Sequence, residues 1–269
     1  MSGPIVSFQN VSIVFGRRPD RALALIDRQA SREEIRSETG TTLGVADATL
    51  DVAPGEILVL MGLSGSGKST LIRAVNGLAP VTRGRVLVNT GDGPVDPRDC
   101  GTGQLRTLRR RKVAMVFQQF GLLPWRTVRE NVGLGLELAG MPAAERKARV
   151  DQQLATVGLD DWAERKVGDL SGGMQQRASI ARALAFDADI LLMDEPFGAV
   201  DPVVRRSLQR EVLALKDTVA TTVLMVTHDI DEAFLLGDEV VILGQHARIE
   251  QAGTPEKIVA HPANEAVRE

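Results

Sequence analysis

The spacing of apolar positions changes several times along the chain, and each change marks an element. Apolar and polar residues alternate over residues 4–8 and again over 11–15, which predicts two short, half-buried strands. A polar stretch of helical character follows, in which Ser31 and Glu34 stand at capping-box spacing and Gly40 is placed to stop a helix. Strand character returns at 48–52. Residues 56–61 form an apolar run that leads directly into a glycine-rich turn, the pattern of a parallel strand covered on both faces. Helix is expected over 68–76, a glycine-punctuated β stretch over 84–89 and a short apolar strand over 113–117. Residues from about 119 to 185 read as mostly helical, with breaks near Pro124, 140–142 and 169–173. Strand and helix then alternate through 190–193, 202–218 and 222–226, before a small hairpin at 239–243 and 247–251 and a polar tail. No internal repeat or low-complexity linker interrupts this order. The pattern predicts one α/β domain over residues 1–269, with a polar helical insertion at 17–43 and a helical subdomain at about 119–185.

Composition narrows the function classes. The chain has 269 residues, 43% hydrophobic and 25% charged, with a formal net charge of −3, which gives no general affinity for nucleic acid. The single cysteine, Cys100, cannot form an internal disulfide, and a reducing compartment is expected. The opening MSGPIVSFQN lacks the basic and apolar regions of a signal peptide. No apolar run approaches the roughly 20 residues that span a bilayer, so any link to a membrane is expected to run through a partner.

Three motifs carry chemistry. Gly62, Leu63, Ser64, Gly65, Ser66, Gly67, Lys68 and Ser69 satisfy G-x-x-x-x-G-K-[ST], with Thr70 next. Its glycines let backbone N–H groups converge on phosphate oxygens, and the following helix points its positive end at the same place. Lys68 supplies a point charge to the β and γ phosphates, and the Ser69 hydroxyl can ligate Mg²⁺. A glycine-rich turn matching by accident is the plain alternative, and nucleotide binding is the stronger reading. At 190–194 a buried strand ends in two acids, where α/β ligand sites lie. Asp194 is placed to hold Mg²⁺ and Glu195 to act as general base on the attacking water, although a strand ending in solvated acids is common. In Leu170-Ser171-Gly172-Gly173-Met174-Gln175-Gln176-Arg177, Ser171, Gly172 and Gly173 start a helix and offer a second anion site, or merely an N-capped helix after a glycine turn.

At this third motif the sequence resembles the ABC ATPase family, whose signature reads LSGGQ-x-x-R; Met174 stands in for its first glutamine. The resemblance covers nearly the whole chain and implies an α/β fold: a P-loop NTPase core with an N-terminal antiparallel β layer and an inserted α-helical subdomain. It implies that Gln118, in Val116-Phe117-Gln118, senses Mg²⁺ and the attacking water, and that Asp201 is the D-loop aspartate, although Gly-Ala-Val-Asp replaces the usual Ser-Ala-Leu-Asp. His228, after strand 222–226, matches the switch histidine. Phe15 takes the place of the aromatic that stacks on adenine, usually tyrosine, while a phenylalanine on an alternating strand is often core. In the family, the signature of one subunit, here Ser171, Gly172, Gly173 and Gln176, closes on the γ-phosphate held by the P-loop of the other. Two ATP molecules with Mg²⁺ are thereby buried in a head-to-tail dimer of two copies.

Residues 120–128 resemble the segment that helps importer ATPases receive a coupling helix, which implies integral membrane permease subunits docked at Gln118–Val128. Leu122, Leu123 and Trp125 could instead only pack the helical subdomain. A solute-binding protein would act indirectly, and the chain would lie at the cytoplasmic face of the inner or plasma membrane. The basic run 106–112 reads as solvated surface rather than a nucleic-acid patch. The 17–43 insertion, with Leu43-Gly44-Val45-Ala46-Asp47-Ala48, resembles the glycine betaine, proline betaine and choline importer branch. Importers of taurine, nitrate or amino acids, and non-transport ABC ATPases, are the alternatives. Many members of that branch add a regulatory module after the ATPase domain, whereas this sequence ends at Glu269, soon after His261-Pro262-Ala263-Asn264.

Overall fold

A computed structural model describes residues 3–89, 91, 93–219 and 221–268; residues 1, 2 and 269, which the single-domain expectation includes, lie outside the described residues. Along the chain the elements are β1 (Val6–Phe15), α1 (Pro19–Asp27), α2 (Arg32–Thr39), β2 (Thr42–Val52), β3 (Ile57–Gly62), α3 (Lys68–Val75), β4 (Arg83–Asn89), β5 (Pro94–Val95) and α4 (Thr102–Thr107). They continue as β6 (Val113–Val116), α5 (Val128–Val132), α6 (Leu134–Leu138), α7 (Ala143–Thr156), α8 (Gly172–Ala185), β7 (Ile190–Asp194), α9 (Pro202–Val219) and β8 (Thr222–Val226). The last are α10 (Ile230–Leu236), β9 (Glu239–Leu243), β10 (Ile249–Gly253), α11 (Pro255–Ala260) and α12 (Glu265–Arg268). The chain divides into two compact units, Met1–Leu105 with Val226–Glu269, and Arg106–Met225.

The first unit holds an antiparallel sheet in the order β2-β1-β4-β5. Where alternation predicts two strands, β1 is one strand with a kink: Asn10 has φ 51°, and the register shifts between Phe8 and Val11. The irregularity puts Phe8 and Val11 on the buried side together, which hides the continuity from a period-2 reading. The insertion forms α1 and α2. Ser31 accepts from the Glu34 amide, the Glu34 carboxylate accepts from the Ser31 amide, and Gly40 ends the helix at φ 67°, as the spacing predicts. The insertion is anchored as well as polar. Ala22, Ile26 and Ile35 join Val14, Leu43, Ala46 and Ala247 in a buried cluster, each large aliphatic side chain worth about 2 kcal/mol of burial. Strand β3 pairs in parallel with β9, and β9 pairs with β10 as the expected hairpin. Beyond the hairpin, the polar tail carries α11 and α12.

In the second unit β6 and β7 run parallel, with β8 on the other side of β7. Strand β7 is buried along its whole length. Helix α8 turns Ala178, Ile180, Ala181, Ala183 and Ala185 inward, and the small alanines let α5 and α7 pack closely against it. Residues 119–127, where the helical region is expected to begin with a break near Pro124, are not helical; the first helix there starts at Val128, capped by a Thr127–Glu130 box. The basic run winds into a single wide turn, Leu108–Lys112, with Leu108 buried and the arginines 109–111 exposed. No helix of the described residues is long and apolar enough to cross a membrane.

Candidate active site

In the first unit, β3 delivers the chain to Gly62 and α3 carries it away from Gly67. Two glycines are required sterically. Gly62 has φ +134° and a Cβ there would lie 2.1 Å from the Leu243 carbonyl oxygen; Gly67 has φ +109° and a Cβ would lie 2.1 Å from the Gly44 carbonyl oxygen. Helix α3 begins directly after Gly67, with no side-chain cap at its start. Lys68 is nearly buried, and its Nζ donates to the carbonyls of Gly62 (2.7 Å) and Leu63 (2.8 Å) and to Ser66 Oγ (3.5 Å). The ammonium is thus held at the mouth of the loop. Ser66 is buried, Ser69 and Thr70 are half-buried, and Leu63, Ser64 and Gly65 are exposed.

Phe15 ends β1 with 42% of its surface exposed, more than a core residue would show. A Cβ on Gly44 would lie 2.9 Å from the Phe15 ring and 3.0 Å from Thr70 Cγ2, so Phe15, Gly44 and Thr70 flank the start of α3. His228 follows β8 and is exposed. Its neighbours fix it: Thr227 Oγ1 donates to the Glu232 carboxylate (2.7 Å), and Asp229 caps α10 by accepting from the Glu232 amide. His228 shares a cavity of about 620 Å³ with Gly62, Leu63 and Ser64. Phe15, the loop and His228 are therefore gathered within the first unit.

The second unit gathers the acids. Asp194 ends β7 fully buried, and Glu195 follows with φ 49°, a left-handed conformation that is strained for a glutamate and turns its carboxylate out of the strand line. Gln118 Nε2 donates to Glu195 Oε2 at 3.2 Å. Ser171 and Gly172 are exposed at the start of α8, and Ser171 Oγ caps it by accepting from the Met174 amide (3.4 Å). A Cβ on Gly173 would lie 2.7 Å from the Ala199 carbonyl oxygen, so the signature turn and the loop after β7 are in close approach. Asp201 caps α9 through the Val204 amide (3.1 Å).

Gln176 departs from the expected trans-facing surface. It is buried, and its amide donates to the Glu195 carbonyl (3.0 Å) and accepts from the Ala199 amide (2.8 Å) of its own chain. It lies one turn into α8 on the inward face, which the motif does not reveal. Sequence reasoning also missed Ser179 and Arg182. Ser179 donates to the Phe120 carbonyl, and Arg182 donates to the carbonyls of Phe120 (2.9 Å) and Gly121 (2.6 Å), holding the segment after Gln118. Burial pushes the Arg182 guanidinium below its usual value. An arginine in the middle of a helix gives no sequence signal for that role.

The socket segment is less apolar than expected. Leu122 and Leu123 are half-buried, and only Trp125 stands out, 68% exposed. Asn131, fully buried, pins the turn by exchanging hydrogen bonds with the Leu123 backbone (2.7 and 3.1 Å). The adjoining groove of about 680 Å³ is lined by Trp125, Arg126, Arg129, Glu137, Lys147 and Lys166. Charged side chains and apolar surface therefore share its lining, with Gly133, Ala143 and Val150 among the apolar part.

Comparison with known proteins identifies the family. Residues 45–198 match the family described as ABC transporter. The chain is 46% identical, over 97% of its length, to the glycine betaine/proline betaine transport system ATP-binding protein ProV of Salmonella typhimurium, and it spans 64% of that protein. It is 44% identical, again over 97% of its length, to the trimethylamine N-oxide transport system ATP-binding protein TmoW of Ruegeria pomeroyi, spanning 75% of it. A solved ATP-binding cassette, dimeric in a post-hydrolysis state and bound to ADP and Pi, superposes with a TM-score of 0.79 at 30% identity, covering 93% of this chain and 98% of that one.

Proposed function

The chain belongs to the ABC transporter family, and from that premise we propose that it is the ATP-hydrolysing subunit that energises import of a quaternary amine such as glycine betaine or choline. The observation that carries the ATPase reading is the loop Gly62–Ser69, preformed around Lys68 with Phe15 and His228 gathered beside it. In this reading the N–H groups of the loop and Lys68 hold the β and γ phosphates, and the exposed Phe15 ring stacks on adenine. Glu195 accepts the proton of the attacking water, oriented by the amide of Gln118, and His228 contacts the γ-phosphate. Ser69, Asp194 and Gln118 would hold Mg²⁺, which neutralises charge on the phosphates when bound. That sparse donor set suits the ion: Mg²⁺ keeps several waters and uses phosphate oxygens instead of an all-protein cage.

A second copy would bring its Ser171, Gly172 and Gly173 to the phosphates, head to tail. Gln176 would act indirectly, bracing Glu195 and Ala199 behind that surface. Permease subunits would dock at Gln118–Val128, where Trp125 and the charged groove are exposed, placing the chain at the cytoplasmic face of the membrane. The cargo reading draws on the names of the betaine and trimethylamine N-oxide relatives, both concerned with small methylated amines. It is tested by co-purifying the chain with its membrane subunits and measuring ATP hydrolysis with a solute-binding protein and candidate solutes. Stimulation by choline or glycine betaine is expected. Stimulation by taurine or nitrate alone would overturn the cargo.

A further inference from the structure

The 17–43 insertion reaches the phosphate-binding loop through one side chain. Arg32, at the first position of α2, donates from Nη1 to the Gly65 carbonyl, and from Nε (3.2 Å) and Nη2 (2.6 Å) to the Leu43 carbonyl. The two acceptors matter for different reasons. Gly65 is in the loop itself, with φ +79°. In a trans peptide the C=O and the following N–H point in opposite directions. With the Gly65 carbonyl held outward by Arg32, the Ser66 amide points the other way, where it donates to the Leu63 carbonyl at 3.1 Å. Leu43 immediately precedes Gly44, whose carbonyl is the atom that Gly67 approaches so closely. One planar guanidinium thus ties the crown of the loop to the strand that walls its exit.

The support behind Arg32 is rigid. Helix α2 is closed at both ends by its capping box and Gly40, and Ile35 is fully buried one turn along. At the end of α1, Arg248 donates to the Ile26 carbonyl (2.9 Å) and Arg83 pairs with Asp27 (2.7 Å). Burial also pushes the Arg32 guanidinium below its usual value. We propose that Arg32 is a positioning residue for nucleotide binding, by which the insertion clamps the loop Gly62–Ser69 in its phosphate-binding shape. This rests on the ATPase reading of that loop.

The test compares the full chain with its Arg32→Ala, Arg32→Lys, Arg36→Ala and Lys68→Ala variants, using MgADP titration calorimetry, ATP-dependent steady-state rates and amide hydrogen exchange over residues 62–67. Arg32→Ala should weaken ADP binding and raise KM for ATP by about tenfold, the loss expected of a charge-assisted hydrogen-bond pair, with kcat within about twofold. Exchange over 62–67 should quicken. Arg32→Lys should fall between, because an ammonium cannot fork across two carbonyls; it is the variant read if Arg32→Ala does not fold. Arg36→Ala removes a neighbouring exposed charge that shares the groove with Gly65 and should change little. Wild-type ADP affinity in both Arg32 variants overturns the proposal, as does an equal loss in Arg36→Ala, which would make the effect one of charge alone. If the wild type itself fails to bind ADP, or Lys68→Ala binds it equally well, the ATPase reading fails and the clamp with it.

Discussion

At the scale of single residues, the site depends on backbone conformations that side chains then exploit. Glu195 sits at φ 49° with its carboxylate in contact with Gln118 and its carbonyl braced by Gln176. Glu195→Gln keeps an oxygen that can accept from Gln118, so the geometry survives, while the amide cannot take a proton. Phosphate release is expected to fall by about 10²–10⁴-fold with ADP affinity within about twofold; a rate near wild type would remove Glu195 as the base. Gly67 is constrained on both counts, φ +109° and a Cβ position 2.1 Å from the Gly44 carbonyl oxygen. Gly67→Ala should therefore abolish nucleotide binding, and ADP should no longer raise its melting temperature. A melting temperature that ADP still raises would contradict the steric argument.

Between elements, the first unit is joined by a charge cluster centred on Asp47. Its carboxylate takes hydrogen bonds from Arg83 of β4 (2.6 Å), Arg248 near β10 (2.7 Å) and Ser12 of β1 (3.0 Å). Burial alone would raise the Asp47 pKa, but the hydrogen bonds from Arg83, Arg248 and Ser12 outweigh it and hold the carboxyl below its usual value. A carboxyl lowered on folding contributes stability above its unfolded pKa of about 3.9, and that contribution is lost as pH falls through the folded value. Asp47→Asn should thus cost about 1 kcal/mol at pH 7, a figure reduced for partial exposure, and the difference from wild type should shrink below about pH 4. Urea melts at the two pH values check it, and a gap that widens in acid would refute the sign. Elements of this kind divide what the sequence reveals from what it hides. The capping box at Ser31 and the stop at Gly40 are local and legible, as are the loop at Gly62–Ser69 and the strand before Asp194. The bulge at Asn10, the non-helical path of residues 118–127 and the inward turn of Gln176 are not, because each is set by distant partners: Thr49 for Asn10, Asn131 and Arg182 for the path, Ala199 for Gln176.

For the whole molecule, the decisive property is whether ATP joins two copies. Ser171 and Gly172 are exposed, the Ser171 hydroxyl caps its own helix, and α8 behind them is long enough, at 14 residues, to present a firm positive end to an anion. On the proposed mechanism that anion is the γ-phosphate on the loop of a second copy, so association is linked to ATP by mass action. Hydrolysis removes the link, and the wild-type dimer should be transient. Glu195→Gln binds without turning over, so its dimer should persist, and light scattering after size exclusion in MgATP should give about twice the monomer mass. MgADP should leave it monomeric, since the bridging phosphate is missing. Adding Ser171→Arg to Glu195→Gln should return the protein to monomer with ATP still bound, because a bulky side chain fills the approach to the helix end and leaves the residues of the loop Gly62–Ser69 unchanged. A Glu195→Gln protein that stays monomeric in saturating ATP would count against the head-to-tail pair. A dimer indifferent to Ser171→Arg would place the contact on some surface other than the signature turn.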